Sequence, residues 1–384
     1  MKTHQFVVFF LVVFSVYFAG NLYIFFKGYN ILPPVREKRL LYTIIFIALA
    51  ITFIAAKILE SRHSSVLTDI LNIIGGFWMA FMLYGFLIWL TADILFLLQS
   101  PFRLIPDASV PRIRLWLFGG ITVTTLILII AGFINAVIPI IKRYDLTVDK
   151  RFSNGTSSMQ ILAVSDIHLG SVIRKRSMRH LSGMISNEKP DLVLFLGDII
   201  DGSIGPVLRG DLLSHLKLPY LPEGNYAITG NHEYIGGLSK TLPYIESKGI
   251  RVLQDEVVTL GNGVQLIGRL DRSAIQGSGK GRASLDSLLD MTDRTRPVIL
   301  LDHQPFGLSD LAGTPVDLQL SGHTHNGQMW PLTYITSKMF EVSHGYGKFG
   351  NTHVIVSSGF GLWGPRMRLG TRPEIVVIAL RSSL

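Results

Sequence analysis

Residues 159–168 read Met-Gln-Ile-Leu-Ala-Val-Ser-Asp-Ile-His: a short β-favouring apolar run that ends in Ser165-Asp166-Ile167-His168. Such a run, closed by polar residues, predicts a buried strand whose carboxyl end carries the working side chains. The pattern recurs downstream. Asp191–Leu196 runs into Gly197-Asp198-Ile199-Ile200-Asp201-Gly202, and Asn225–Thr229 into Gly230-Asn231-His232-Glu233. Val298–Leu301 runs into Asp302-His303-Gln304-Pro305, and Asp317–Leu320 is followed by Gly322-His323-Thr324-His325. Further β-rich runs occupy Gly249–Leu253, Val264–Ile267, Val354–Ser357 and Ile375–Leu380, with helical patterns at Ile173–Lys189, Gly237–Ser247 and Ala283–Met291. Strands alternating with helices predict an α/β domain built on a mixed or parallel sheet covered on its faces. Five polar clusters, each just after a strand, predict one site along one sheet edge.

The candidate set is Asp166, His168, Asp198, Asn231, His232, His303, His323 and His325. Imidazole and carboxylate without sulfur suit manganese, iron or zinc, not an oxygen cage for calcium. Eight such groups exceed what one four-coordinate zinc with an open position needs. They suit two divalent ions sharing a bridging carboxylate, an arrangement that activates water and clamps a phosphorus centre during in-line displacement. A histidine outside the metal shell could then protonate the leaving group. The pair His232-Glu233 does not mark a zinc protease, because the residue four positions after His232 is Gly236. Asp201 is expected to be a turn residue behind the ligands, and Asp302 a polar neighbour of His303.

Outside this region the composition changes. The chain has 384 residues, 48% hydrophobic and 16% charged, where a soluble domain carries about a quarter charged residues. The excess apolar residues fall in four runs: Phe6–Phe26, Leu40–Leu59, Ile70–Leu98 and Leu115–Ile138. Each reaches the roughly 20 residues that a bilayer requires. The net charge of +9 divides into +7 before residue 152 and +2 after it. Cations beside apolar runs flank membrane spans, and no nucleic-acid-binding motif accompanies them, so nucleic acid is excluded as a partner. Zero cysteine excludes disulfides, thiolate zinc and a cysteine nucleophile. Lys27, Arg36, Lys38 and Arg39 follow the first run against Lys2 before it. This places the first loop in the cytoplasm and, with four spans, the C-terminal domain on the extracytoplasmic face. Asp93, inside the third run, is either a functional intramembrane carboxylate or a residue near a helix end reaching the headgroups. The spans lack the paired broken helices of a transporter.

In this order the motifs Asp-x-His, Gly-Asp-x-x-Asp, Gly-Asn-His-Glu, a lone His303 and Gly-His-Thr-His resemble the calcineurin-like metallophosphoesterases. The resemblance spans about 159–380 and includes Gly-His-Thr-His-Asn-Gly-Gln at 322–328, Ser357-Ser358-Gly359-Phe360-Gly361 and Pro373-Glu374-Ile375. This tail is similar to a branch with membrane-anchored and secreted phosphodiesterases. The resemblance implies a β-sandwich flanked by helices, here preceded by a helical bundle of four transmembrane spans. It implies that Asp166, His168 and His325 hold one metal, that Asn231, His303 and His323 hold the other, and that Asp198 bridges them. His232 would be the catalytic histidine. Two residues depart from the pattern: Glu233 stands where many members have Asp, and Asn326 where this branch commonly has Gly. The resulting division is a membrane domain at 1–145, a linker at 146–158 and a phosphoesterase domain at 159–384.

The expected function is a membrane-bound dinuclear-metal hydrolase of a phosphodiester or pyrophosphate. About fourteen residues separate the last span from the first strand. They hold the site near the bilayer, which favours a lipid or lipid-linked substrate. The alternative is a catalytically weak sensor or scaffold that binds a phosphorylated ligand; such a domain would show missing ligands. Arg366 and Arg368 are candidates for contacting phosphate. His344 could line the cleft, and the basic stretch 173–180 could face headgroups.

Overall fold

The computed structural model of the chain describes residues 3–102, 106, 109–275 and 281–384, with the side chains of 3–10, 12 and 13 excepted. It divides into two compact units, residues 1–62 with 66–133, and 63–65 with 134–384.

The first unit contains four helices: α1 (Thr3–Tyr29), α2 (Arg36–Arg62), α3 (Val66–Gln99) and α4 (Val110–Ala136). Three stretches among the described residues are long and apolar enough to cross a membrane: Arg36–Arg62, Val66–Phe102 and Val110–Ala136. The run Phe6–Phe26, expected as a further span, is not among these three; Lys2 and the side chains of 6–10, 12 and 13 lie outside those described. Arg103 lies outside as well. Close packing inside the unit follows from small residues. A Cβ on Gly75 would meet the Phe53 backbone at 2.6 Å, so glycine lets α2 and α3 approach. Aromatic contact adds to this, with Phe46 edge-on to Trp78 at 4.9 Å between ring centres. Asp93 is paired. It accepts from Lys27 Nζ at 2.6 Å and Tyr23 Oη at 2.5 Å.

The second unit holds two six-stranded mixed sheets. Its elements in order are β1 (Ile140–Val148), β2 (Ser158–Val164), α5 (Lys175–Glu188), β3 (Leu192–Leu196), α6 (Gly205–Gly210), β4 (Asn225–Ile228), α7 (Asn231–Ile235), α8 (Leu238–Glu246), β5 (Arg251–Leu253), β6 (Glu256–Thr259), β7 (Gln265–Gly268), β8 (Val298–Leu301), β9 (Leu318–Ser321), β10 (Gly345–Phe349), β11 (Thr352–Val356) and β12 (Glu374–Ser382). The first sheet runs β1-β12-β2-β3-β4-β5 and the second β10-β11-β9-β8-β7-β6. In the first, β2 to β5 are parallel; in the second, β7, β8, β9 and β11 are.

Alternation along the strands assigns the faces. Ile161, Ala163, Leu192, Leu194 and Leu196 of the first sheet share one buried cluster with Leu266, Ile299, Leu301, Leu318 and Leu320 of the second. The opposite face of the first sheet, including Leu162, Val164, Val193 and Phe195, packs on Met178, Leu181 and Ile185 of α5. Those three recur at helical spacing, while Lys175, Arg176, Arg179 and His180 stay exposed. Lys189 closes α5 in the left-handed conformation at φ 49°.

Three strands carry no matching expectation. Ile140–Val148, which straddles the boundary expected at 145, forms β1 and pairs in parallel with β12 through nine residues, Ile140↔Glu374 to Val148↔Ser382. Lys142, Arg143 and Asp145 are exposed there; charges on an edge strand discourage pairing with other chains, and in the sequence they resemble the flank of a membrane span. The edge strands β6 and β10 carry Glu256 and Lys348, and β10 two glycines as well, residue types that strands are depleted in.

Candidate metal centre

The parallel strands deliver the polar clusters to one place. Asp166 follows β2 by two residues, Asp198 follows β3 by two, His303 follows β8 by two and His323 follows β9 by two; Asn231 begins α7 after β4. Backbone bonds lock the turns together. Asp166 N donates to Gly197 O at 3.1 Å, His168 N to Asp198 O at 2.9 Å and Gly322 N to His303 O at 3.0 Å. Asp166, His168, Asp198, His323 and His325 all hold left-handed backbone, with φ between 48° and 70°. Non-glycine residues in that region cluster at functional sites, where the surroundings impose the conformation. Two motif glycines make room for the carboxylates. A Cβ on Gly322 would overlap Ser165 Oγ and Asp166 Oδ2, and one on Gly230 would overlap Asp198 Oδ1.

The donor atoms converge in three groups whose members lie within 4.8 Å: Asp166 with His168 and His325, Asp198 with His303 and His323, and His168 with Asp198 and His232. His168 Nε2 faces His325 Nε2 at 3.0 Å and Asp198 Oδ2 at 3.7 Å. His303 Nε2 lies 3.2 Å from Asp198 Oδ2, across the two sheets. Thus Asp198 is common to both sides of the cluster. Asn231 Oδ1 is buried with no hydrogen-bond partner among the described residues, a state that costs free energy unless something else ligates it. An orphaned amide oxygen beside converging imidazoles and carboxylates fits divalent cations.

The protonation preferences of His325 and His323 point the same way, while at His303 burial is outweighed by Asp198, which raises it. Burial pushes His325 well below the usual imidazole value, with His168 and Arg368 adding to it. Burial lowers His323 too, helped by His303. Neutral imidazoles are the ligating form. Burial alone would raise the Asp198 carboxyl, but the imidazoles of His303, His232 and His168 outweigh it and hold it well below the carboxylate range. For His232 burial would lower the value; the charges of Asp198 and Asp201 prevail and raise it to about 9.

A model of the calcineurin-like phosphoesterases matches residues 159–327. A metallophosphoesterase of Aquifex aeolicus is 34% identical over 246 residues, covering 63% of this chain and 91% of its own. The chain belongs to this family. It is a metal-dependent phosphoester hydrolase by that membership. A cow protein described as a transmembrane protein with metallophosphoesterase domain is 30% identical over 288 residues, 69% of this phosphoesterase and 62% of the relative. Among solved structures, a 5′-nucleotidase precursor of Thermus thermophilus is 16% identical with TM-score 0.35, over 58% of this chain and 54% of that one.

Further residues support the cluster from behind, Asp201 as the sequence led one to expect, Glu233 and Arg368 without that signal. Asp201 sits behind two histidines, with Oδ1 3.3 Å from His168 Nδ1 and 3.2 Å from His232 Nδ1. Burial would raise its carboxyl; the two imidazoles outweigh that and lower it. Glu233, the departure from the family pattern, is fully buried and accepts from the backbone N–H of Asp198, Ile200 and Gly230 at 2.7–3.0 Å. It therefore ties the second and third motifs together. Arg368 is not a phosphate contact. It is fully buried and donates to the carbonyls of Ser358, Gly359 and Gly361 at 2.7–3.1 Å, with His325 Nδ1 at 3.3 Å. A basic residue six positions before an acidic one carries no sign of that burial. Asp302 is buried against Arg282 and Arg269. His344 is bound to Glu374 at 3.1 Å.

Proposed function

We propose that this chain is a multi-pass membrane phosphoesterase that hydrolyses a phosphodiester or pyrophosphate of a lipid or lipid-linked substrate. The observation that carries the reading is the pair of ligand clusters sharing Asp198, with Asp166, His168 and His325 on one side and Asn231, His303 and His323 on the other. Two divalent ions, manganese, zinc or iron, would be held there, with Asp198 as the bridge. When bound, such ions supply Lewis acidity to phosphate oxygens and to the attacking water. His232 is the general acid in this reading. Its ring is anchored by Asp201 and its backbone N–H donates to Asp198 Oδ1 at 2.8 Å. Its raised proton affinity keeps a proton available for the leaving oxygen. The two sheets make a sandwich in this reading, the division 1–145, 146–158 and 159–384 is kept with β1 added to the last, and α1 is the fourth span.

Support for a lipidic substrate comes from chain connectivity. Only three residues separate α4 from β1. Ile140 pairs with Glu374, and β12 runs antiparallel to β2 with Val376 opposite Ala163, so the chain enters the sheet at the edge that carries Asp166. The catalytic face is assigned to the extracytoplasmic side by the cations after the first helix. The test is a phosphorus NMR and mass-spectrometric screen of the full-length protein with manganese against lipid extracts. A metal-dependent product from a lipid fraction supports the reading; turnover confined to soluble phosphoesters defeats the lipid part of it.

A further inference from the structure

Large apolar side chains gather on the surface beside the ligand loop. The helix Leu332–Met339, which starts seven residues after His325, buries none of its side chains. Tyr334, Ile335 and Met339 are 66%, 58% and 61% exposed, Trp330 just before them is 48% exposed, and Trp363 is 54% exposed. Backbone bonds hold the two segments side by side. Trp330 N donates to Leu369 O at 2.7 Å and Leu369 N to Gln328 O at 3.1 Å. The Gln328 amide brackets the Trp363 backbone, donating to its carbonyl at 2.9 Å and accepting from its N–H at 3.1 Å. Single exposed apolar residues are ordinary. Two tryptophans, a tyrosine and two aliphatic chains on two adjoining segments mark an interaction surface.

The charge around it selects the partner. Segments 328–340 and 360–373 contain no Asp or Glu, and neither does 169–187. Lys338 lies in the helix itself, and Lys175, Arg176 and Arg179 are exposed on α5. Phe360 and Leu362 share one buried cluster with Ile173 and Met178, so the start of α5 adjoins the loop that carries Trp363. Interfacial aromatics fringed by cations suit the headgroup layer of an anionic bilayer. A second copy would bring two faces rich in exposed cations together, which like charge opposes. The three membrane-length helices of the same chain supply a bilayer.

We propose that Leu332–Met339, Trp330 and Trp363 dock the catalytic unit onto an anionic membrane surface, the apolar groups entering the interfacial layer and the α5 cations meeting headgroups. This rests on the membrane reading of the chain. It does not depend on which phosphoester is cleaved.

Because the chain has no cysteine, Ile335→Cys introduces a single thiol for an environment-sensitive fluorophore. The full-length labelled protein is placed in nanodiscs of phosphatidylcholine with a minority of phosphatidylglycerol. Quenching by doxyl-labelled lipid is compared with quenching by iodide. Met291→Cys is the reference, at an exposed residue just past the helical turn Leu285–Leu289. Lipid quenching at position 335 with little iodide quenching, and the reverse at 291, is the expected result. Iodide quenching at 335 equal to that at 291 overturns the docking. Shielding from both quenchers overturns it in favour of a second copy. Failure to enter nanodiscs at all overturns the membrane reading, and the proposal with it. The double variant Ile335→Asp, Met339→Asp should lose about tenfold or more in turnover of vesicle-embedded phosphodiester while leaving soluble bis-nitrophenyl phosphate turnover unchanged. Equal loss on both substrates would mean the helix serves the fold instead.

Discussion

Asp201 stands outside every group of converging donor atoms, yet it fixes the ring nitrogens of His168 and His232. A carboxylate on the far nitrogen of an imidazole sets its tautomer and aims the other nitrogen, and losing such a partner typically costs about 10–100-fold in metal affinity or activity. Asp201→Asn should fall in that range in kcat, with the fold retained by circular dichroism. His232→Asn should keep bound metal and lose 10²–10⁴-fold on an alkyl phosphodiester, the usual yield of general acid catalysis. The loss on a nitrophenyl ester should be smaller, because that leaving group needs little protonation. A drop in metal content of the variant by elemental analysis would make His232 a ligand instead, as its grouping with His168 and Asp198 allows. Asp198→Ala should be more damaging than any change at Asp166, His323 or His325, since Asp198 alone reaches both clusters.

At the level of elements, α5 and the Ser357–Gly361 turn are held by different physics. The helix depends on apolar burial: Leu181 is fully buried against the first sheet. Leu181→Ala should lower stability by about 2–5 kcal/mol, visible as a lower midpoint in thermal unfolding of the catalytic unit. The turn depends on one guanidinium. Arg368→Met leaves the carbonyls of Ser358, Gly359 and Gly361 without that donor, and buried groups stripped of a partner cost about 1–3 kcal/mol each. Because Gly361 N donates to Asp166 O and Arg368 reaches His325, metal affinity should fall along with stability. Titration calorimetry of the variant with manganese checks this.

For the whole molecule, the strand β1 decides where the catalytic unit can be cut. A chain beginning near Ser157 keeps every candidate ligand but loses the nine-residue pairing with β12 and exposes a fresh sheet edge. A chain beginning at Val137 retains it. The longer truncation product should stay soluble and monomeric and cleave bis-nitrophenyl phosphate; the shorter one should aggregate, as light scattering would register. In both the full chain and the Val137 product, EDTA should abolish turnover and manganese or zinc should restore it. Activity surviving thorough metal removal would contradict the dinuclear reading.

The candidate ligand residues, the alternation of strands and helices and the apolar runs were open to sequence reading because each is written in short windows: a strand of four to seven residues, a polar cluster directly after it, a span of twenty. The core faces follow the same logic, since Ile161 and Ala163 face one way and Leu162 and Val164 the other on a two-residue period. What the tertiary structure alone decided is which rings Asp201 holds, and that Glu233 and Arg368 stand behind the ligands at all. These three act on groups 3 to 43 positions away, and a buried charge looks like a surface charge until its partners are known. The edge strand β1 was hidden because exposed charges on a sheet margin and cations flanking a span have the same composition. Only its register with β12, 234 positions later at Ile140↔Glu374, separates them. Short-range pattern picks out the residues that converge; long-range pairing fixes their protonation, their orientation and the edge of the sheet they share.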